Sequence, residues 1–201
     1  IFFSDIKNFT KTSENLQPED LTKYLNEYFS EMTAIALKYG ATIDKYIGDA
    51  MMLFFGDPDT KGEREDARAC LKMALAMQER MKFLQNKWKK QGFLEAFEVR
   101  MGLNTGYCNV GNFGSDQRLS YTIIGGEVNL TQRLESNADV GKILISFETF
   151  VHVKDFVEDV KESVEDKVED IKEGAKDIVE DVKEAVSDVV ENIGEAIEEA
   201  G

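Results

Sequence analysis

The chain has 201 residues, of which 42% are hydrophobic and 10% aromatic, a composition that excludes an intrinsically disordered protein. It holds 39 acidic residues, 24 basic residues and one histidine. These counts exclude a basic nucleic-acid-binding surface, a histidine-based metal cluster and a histidine-dependent catalytic triad. The acidity is uneven, because residues 155–201 contain 18 acidic and 5 basic side chains. The body before residue 155 is therefore nearly neutral.

Targeting signals are not recognisable in the sequence. No apolar run approaches the ~18 residues of a transmembrane helix, and no signal peptide is visible. Cys70 and Cys108 lack metal or redox spacing, which favours a reducing compartment. We therefore expect a cytoplasmic domain, within a parent protein that could be attached to a membrane. Because Ile1 already lies inside an apparent strand, we also expect an upstream regulatory domain in the parent protein.

Hydrophobic periodicity predicts strands and helices along the first 154 residues. Residues 1–6 alternate as a strand, in which Asp5 shares a face with Ile1 and Phe3. A helix is predicted from Pro18 to Gly40, since glycine commonly follows the last helical turn. Only Gly48 and Asp49 separate the next two strand-like runs, which indicates a hairpin. The two runs are Ala41–Ile47 and Ala50–Phe55.

The second half of this region continues with a long helix over residues 63–91. Two runs then predict a further pair of strands, Phe97–Leu103 and Tyr107–Asn112. A helix over Gly126–Ala138 and a short strand at Lys142–Ser146 follow. This order of elements predicts an α+β fold with a mostly antiparallel sheet and helices on one face.

The sequence changes character after about residue 156. Four consecutive 11-residue repeats begin at residues 157, 168, 179 and 190, each with valine or isoleucine at its first and fourth positions. Eleven residues make three helical turns, so the repeats predict an acidic amphipathic helix with a narrow apolar stripe. We predict two domains, residues 1–154 and residues 155–201. The tail could be a solvated helix, a self-associating helix or a helix lying on a surface.

Two aspartates are candidate metal ligands. Asp5 lies on an apolar strand face, and Asp49 lies at the hairpin turn beside apolar strands. A carboxylate at the edge of an apolar sheet is costly unless it is paired or binds a cation. If the two meet, they form an oxygen site suited to Mg²⁺. The alternative, in which Asp5 caps a turn and Asp49 is only a turn residue, stays open on spacing alone.

Three further polar residues stand out. Lys45 shares strand parity with Ile43, so its amine would project from an apolar face, unless it reaches solvent as many lysines do. Asn129 and Arg133 are four residues apart on the predicted helix and so lie on one stripe. The neighbouring core stripe is predicted to contain Leu130, Leu134 and Ala138. An amide and a guanidinium presented together suit a ribose and a phosphoryl oxygen. A solvated helix face is the alternative.

Four segments together resemble the class III adenylate/guanylate cyclase catalytic domains, of the bacterial adenylate cyclase type. Residues 3–10, FSDIKNFT, resemble the first metal motif, and residues 44–50, DKYIGDA, resemble the second. Residues 99–106, VRMGLNTG, and residues 125–133, GGEVNLTQR, resemble the strand after the central helix and the helix of transition-state residues. The segments occur in family order, and the resemblance covers about residues 1–154. It implies a ferredoxin-like, palm-type fold.

The resemblance implies roles for the metal and phosphate ligands. Asp5, Asp49 and the backbone carbonyl of Ile6 would hold two Mg²⁺ or Mn²⁺ ions. The stretch Asn8, Phe9 and Thr10 would offer backbone N–H groups to the substrate phosphates. Arg100 would contact the triphosphate.

The resemblance also implies how the nucleotide is selected and turned over. Lys45 and Thr122 occupy the purine-selecting positions and favour ATP. Asn129 would orient the ribose, and Arg133 would stabilise the pentavalent phosphorus. In this family two domains share each site, so a homodimer with two equivalent sites is expected, in which the 3′-hydroxyl of ATP attacks the α-phosphorus.

One departure from the family bears on activity. Members usually continue into a β-hairpin with a triphosphate-binding lysine in an Asn-Val-Lys-Gly-like segment, whereas this sequence turns into the acidic repeats. Loss of such a contact costs roughly 2–4 kcal/mol in the transition state. A catalytically weak or inactive nucleotide-binding or dimerisation module therefore stays an alternative, as does a guanylate cyclase.

Overall fold

The computed structural model describes residues 1–162, 165, 168–169, 171–172 and 176. The chain divides into two compact units, Ile1–Lys154 and Asp155–Gly201. Most of the predicted 11-residue repeats lie outside the described residues. The described residues of the second unit are helical. Among them, the predicted apolar stripe contains Val157, Val160, Val168 and Ile171, and all four side chains are exposed. Among the described residues, no helix combines the length and apolar character that a membrane crossing requires.

The first unit is built from seven described strands and four helices, followed by helical residues 147–154. In chain order these are β1 (Phe2–Ile6), α1 (Phe9–Glu14), α2 (Pro18–Lys38), β2 (Thr42–Ile47), β3 (Ala50–Phe54), α3 (Glu63–Lys90), β4 (Val99–Leu103), β5 (Asn109–Ser115), β6 (Arg118–Ile124), α4 (Gly126–Asn137) and β7 (Ile143–Ile145). Within the described residues, five strands form one sheet in the order β2-β3-β1-β4-β7, and β5 and β6 form a separate two-stranded sheet. Among the strand pairs in the part of the chain that the structure describes, only β4–β7 is parallel.

Strand β1 is the centre of the main sheet. It pairs antiparallel with β3 on one side and with β4 on the other. Phe2, Phe3, Ser4 and Ile6 are all buried, because layers of the fold cover both faces of this strand. The predicted α+β class with a mostly antiparallel sheet is confirmed.

Helices α2 and α3 cover one face of the sheet. Tyr28 and Met32 repeat at helical spacing on the buried side of α2, and the Tyr28 hydroxyl lies 3.2 Å from Ser4 Oγ of β1. Helix α3 buries Met77 and Trp88 among its inward residues and contacts both α2 and β4. The burial of these large side chains fixes the helical layer on the sheet.

Helix α4 lies on the opposite face of the sheet, so the prediction of helices on one face holds for α2 and α3 only. The strand residues that face α4 include Gly102, whose neighbour across the sheet is Phe3. A Cβ atom at Gly102 would lie 2.3 Å from the backbone nitrogen of Glu135 and 2.7 Å from the carbonyl oxygen of Thr131. The glycine therefore lets the α4 backbone approach the sheet closely.

The predicted pairing of the strands near residues 97–103 and 107–112 is wrong. Strand β4 pairs with β1 and β7, whereas β5 pairs with β6, a strand that the sequence analysis did not predict. Polar and apolar residues alternate along Arg118–Ile123, which is a strand signal that the prediction left unused. The β5–β6 hairpin brings Thr122, near the end of β6, toward β2.

We predict that Gly102→Ala destabilises the protein by about 1–3 kcal/mol, because the added methyl group meets helix backbone that has little room to move. The matched control is Gly126→Ala at the start of α4, where no atom lies within 4 Å of the added Cβ. Chemical denaturation at a fixed protein concentration measures both changes. Equal free energies of unfolding for the two variants would show that the close approach of α4 is not a constraint.

Candidate active site

The carboxyl groups of Asp5 and Asp49 meet at one end of the main sheet. Asp5 lies near the end of β1, and Asp49 lies in the tight turn between β2 and β3, where Gly48 adopts a φ of 65°. Asp49 accepts a hydrogen bond from the Ile6 backbone N–H at 3.1 Å, and the Asp5 carboxyl group lies near enough to raise the pKa of Asp49. The two side chains named from sequence as metal ligands are thus brought together.

The electrostatics of this pair are those of two acidic groups held close together. Partial burial, and next the adjacent Asp5 carboxyl group, raise the pKa of Asp49 to about 6. Two carboxylates in contact repel each other unless a proton or a cation lies between them. Within the described residues, no group of three or more histidine, cysteine, aspartate or glutamate side chains could hold a metal. A pair of carboxylates nevertheless fits Mg²⁺, which binds through one or two carboxylates and substrate phosphates.

Arg100 lies beside the aspartate pair. It is opposite Asp5 in the β1–β4 register, and its Nη2 atom lies 2.9 Å from Asp5 Oδ2. The same atom lies 3.1 Å from Glu135 Oε1, on α4. Burial, and then the charge of Asp5, raise the pKa of Glu135, whereas the charge of Arg100 lowers it. The guanidinium is therefore held between two carboxyl groups, and its contact with a triphosphate stays a prediction.

Glu135 was missed by the sequence analysis. A glutamate on a helix is usually solvated, and only the close approach of α4 at Gly102 buries it. The residues of α4 that pack inward are Thr131, Glu135 and, just after the helix, Ala138. Of the predicted core stripe, Ala138 is buried, whereas Leu130 and Leu134 are only half-buried.

The predicted phosphate-binding stretch forms the start of α1. Asn8 has a φ of 56°, in the left-handed region, and its side chain makes no capping hydrogen bond to the helix. Phe9 and Thr10 are the first two residues of the helix. The stretch directly follows β1, so the backbone turns sharply just beyond Asp5 and Ile6.

A second cluster joins Lys45 of β2 to Thr122 of β6. Lys45 Nζ donates a hydrogen bond to Thr122 Oγ1 at 3.0 Å, so the two predicted purine-selecting residues meet within one protomer. Lys45 Nζ also lies 3.2 Å from Asp44 Oδ1. Asp44 in turn accepts hydrogen bonds from the Thr122 hydroxyl and from the Ile123 backbone N–H. Asp44 was not named from sequence as a site residue.

A β-bulge explains this arrangement. Ile43 lies opposite Leu53 whereas Lys45 lies opposite Met52, so Asp44 is an extra residue in the ladder. The prediction that Lys45 shares a face with Ile43 is therefore wrong. The bulge turns Lys45 to the face of the sheet that α4 covers.

Asn129 and Arg133 are exposed on α4. Their stripe points away from the sheet, because Thr131 and Glu135 occupy the inward positions of the same helix. The structure therefore does not bring these two residues together with the aspartates of their own protomer.

A cavity of about 270 Å³ lies elsewhere, between the end of β3, the start of α3 and the segment after β4. Its lining includes Phe54, Glu63, Cys70 and Tyr107, and none of the predicted site residues. A different cavity, of about 330 Å³, is lined by Lys7, Lys11 and the predicted phosphate-binding residue Asn8.

Comparisons with a family model and with solved structures both identify nucleotide cyclase catalytic domains as similar to this chain. A family described as "Adenylate and Guanylate cyclase catalytic domain" matches residues 1–180. The crystal structure of the adenylyl cyclase CyaB from P. aeruginosa is 57% identical, with a TM-score of 0.75, and the match covers 77% of this chain and 79% of that one. The structure of the guanylyl cyclase Cya2 is 37% identical with a TM-score of 0.71, covering 75% of both chains.

Among curated proteins, Adenylate cyclase 1 of Rhizobium meliloti is 34% identical over 158 residues, which is 78% of this chain. The chain spans only 23% of the length of that relative. The similarity therefore concerns one domain of a longer protein.

We predict that wild-type stability falls relative to Asp49→Asn as the pH rises from about 4 to about 6. The raised pKa means that the folded state holds the Asp49 proton more tightly than the unfolded chain does. The resulting stabilisation is complete below the ordinary value of 3.8 and is lost as the pH passes the folded value. Urea denaturation with a metal chelator, from pH 4 to pH 7, measures the difference.

The matched control for that titration is Asp59→Asn, which alters an exposed carboxylate in the segment between β3 and α3. Its stability should follow the wild-type curve across the whole range. If Asp49→Asn also follows the wild-type curve, the two carboxyl groups do not interact in solution.

Proposed function

Because the chain belongs to the adenylate and guanylate cyclase catalytic domain family, we propose that it is an adenylate cyclase. The reaction converts ATP to 3′,5′-cyclic AMP and pyrophosphate. The observation that carries the choice of ATP is the hydrogen bond between Lys45 and Thr122, at 3.0 Å. The meeting of Asp5 and Asp49 supports the cyclase chemistry itself.

Asp5, Asp49 and the carbonyl oxygen of Ile6 are the groups that would hold two Mg²⁺ or Mn²⁺ ions. Such ions, when bound, supply charge that offsets the triphosphate and favours ionisation of the ribose 3′-hydroxyl. The protein's contribution is to keep the two carboxyl groups in contact. The Ile6 N–H fixes Asp49, and Arg100 fixes Asp5.

The remaining residues position the nucleotide. Backbone N–H groups at Asn8, Phe9 and Thr10 suit phosphate oxygens, because the N-terminal end of a helix carries partial positive charge. Lys45 and Thr122 would receive the purine. Arg100 would contact the triphosphate.

Asn129 would orient the ribose, and Arg133 would stabilise charge on the α-phosphoryl group. The 3′-oxygen forms a bond to the α-phosphorus while the bond to pyrophosphate breaks, and the hydroxyl proton passes to solvent. Catalysis in this scheme comes from positioning and charge stabilisation, without a covalent enzyme intermediate.

We propose a homodimer as the active form. Asn129 and Arg133 are exposed on α4, whereas Asp5 and Asp49 lie at the end of the sheet in the same protomer. A second copy placed against this surface can supply the exposed pair to the aspartates of its neighbour. Twofold symmetry then produces two equivalent sites.

A guanylate cyclase is the second candidate function. Guanylyl cyclases are among the similar proteins, including Cya2 at 37% identity. The Lys45 amine can donate to the guanine 6-carbonyl oxygen as well as to ring nitrogens of adenine. Parallel assays with ATP and GTP distinguish the two functions.

We predict that purified protein forms cyclic AMP from ATP with Mn²⁺ and Mg²⁺, and that Asp49→Ala and Arg133→Ala each lower kcat by at least about 10²-fold. A mixture of the two variants should regain about a quarter of the wild-type activity. Half of the randomly formed dimers then carry one intact site of two. Asp59→Ala serves as the matched control, because it alters an exposed carboxylate outside the site.

Product formation is measured by chromatography across protein concentrations that span dimer dissociation. Cyclic GMP as the main product would replace the proposal with the second candidate. No cyclic product from either nucleotide would refute both. A mixture that stays inactive would refute sites shared between two protomers.

A further inference from the structure

The most completely satisfied polar group in the second cluster is Asp44, which the cyclase proposal itself does not use. Its carboxylate is fully buried. Its Oδ2 atom lies 2.7 Å from Thr122 Oγ1 and 2.9 Å from the Ile123 backbone nitrogen, and its Oδ1 atom lies 2.9 Å from Thr122 Oγ1. The Lys45 amine lies 3.2 Å from Oδ1. A buried carboxylate with this set of donors holds each of them in place.

The contact fixes the direction in which Thr122 can hydrogen-bond. A hydroxyl group has one proton to donate and two lone pairs that accept. The carboxylate of Asp44 accepts only, so the Thr122 proton is committed to it. The Lys45 amine donates only, so it occupies one lone pair of Thr122 Oγ1, at 3.0 Å. A third group that approaches this oxygen meets an acceptor and no donor.

Adenine and guanine differ in the group that would meet this oxygen. Adenine carries a 6-amino group, which donates, and guanine carries a 6-carbonyl group, which accepts. An acceptor-only hydroxyl therefore suits adenine and leaves the guanine carbonyl facing another acceptor. A hydroxyl that is free to rotate could serve either base, because it would turn its proton toward guanine.

We propose that Asp44 is a positioning residue that fixes the Thr122 hydroxyl as an acceptor and thereby sets the preference for ATP over GTP. The inference rests on the proposed function, since it assumes that Lys45 and Thr122 receive the purine. The bulge that makes Asp44 the extra residue of β2 is the local feature that places its carboxylate against β6. Asp44 acts through Thr122 and does not itself contact the nucleotide.

Asp44 also links β2 to β6 by accepting a hydrogen bond from the Ile123 N–H. The experiment must distinguish this structural role from an effect on the Thr122 hydroxyl. Loss of the hydrogen bond to the Ile123 N–H alone would lower the turnover of ATP and of GTP by the same factor. Loss of the fixed hydroxyl lowers the ratio of kcat/KM for ATP to that for GTP. The ratio is therefore the decisive quantity.

The experiment measures this ratio for the wild type, Asp44→Ala, Thr122→Val and the double variant. We expect the ratio to fall about tenfold in Asp44→Ala, the size of one hydrogen bond lost from the site. Thr122→Val removes the hydroxyl with little change of volume and should cause a fall of similar size. In the Thr122→Val background, Asp44→Ala should have no further effect on the ratio, because no hydroxyl remains to be positioned.

Two conservative variants provide the controls. Asp44→Asn should lower the ratio less than Asp44→Ala does, because the amide oxygen can take the Oδ2 position and accept from Thr122 and the Ile123 N–H, while its NH2 group takes the Oδ1 position and faces the Lys45 amine. Thr122→Ser keeps the hydroxyl and should likewise keep the ratio. An unchanged ratio in Asp44→Ala, or a fall that persists in the Thr122→Val background, would overturn the inference.

Equilibrium binding separates this inference from the proposed function. If the wild type binds nucleotide but forms no cyclic product, the proposed function fails. The ratio of dissociation constants for ATP and GTP, measured by calorimetry on the same variants, then tests Asp44 by itself. If Asp44→Ala does not fold, Thr122→Val and Thr122→Ser test the hydroxyl, and equal ratios for these two would overturn the inference.

Discussion

The contact between the Asp5 and Asp49 carboxyl groups is the constraint on which the rest of the site depends. It holds two acidic groups together at the end of an apolar sheet, where burial and then the neighbouring Asp5 carboxyl group raise the pKa of Asp49 to about 6. The fold maintains the contact because β1 is locked between β3 and β4, while the tight turn after β2 fixes Asp49 on the Ile6 N–H. A pair of this kind is useful to a protein that binds a cation and a triphosphate together.

The described structure gathers the polar residues of one protomer into two clusters that border the main sheet. One contains the aspartate pair with Arg100 and Glu135, and the other contains Asp44, Lys45 and Thr122. Both depend on local departures from regular structure. Gly102 admits α4 so that Glu135 reaches Arg100, and the bulge in β2 turns Lys45 toward β6. In the proposed dimer, the exposed stripe of Asn129 and Arg133 would complete the site of the second protomer.

Much of the fold was predictable because its signals are local. The long helices follow from apolar spacing, and the β2–β3 hairpin follows from a two-residue turn between apolar runs. Asp5 and Asp49 were identifiable as carboxylates at the ends of apolar strands. Glu135 and Asp44 were not, because their burial comes from a close helix approach and from a bulge, and both depend on tertiary packing. The strand prediction was wrong for a similar reason. It paired β4 with β5 because they are neighbours in sequence, whereas tertiary packing places them in different sheets.

The central claim is that Asp5 and Asp49 act as one cation site. The most direct test is a Mn²⁺ titration followed by electron paramagnetic resonance, with a non-hydrolysable ATP analogue present. It compares the wild type with Asp5→Asn, Asp49→Asn and the double variant. Shared ligation predicts that each single change weakens Mn²⁺ binding by at least about tenfold and that the double variant is little worse than either. Wild-type affinity in both single variants, or losses that simply add, would contradict it.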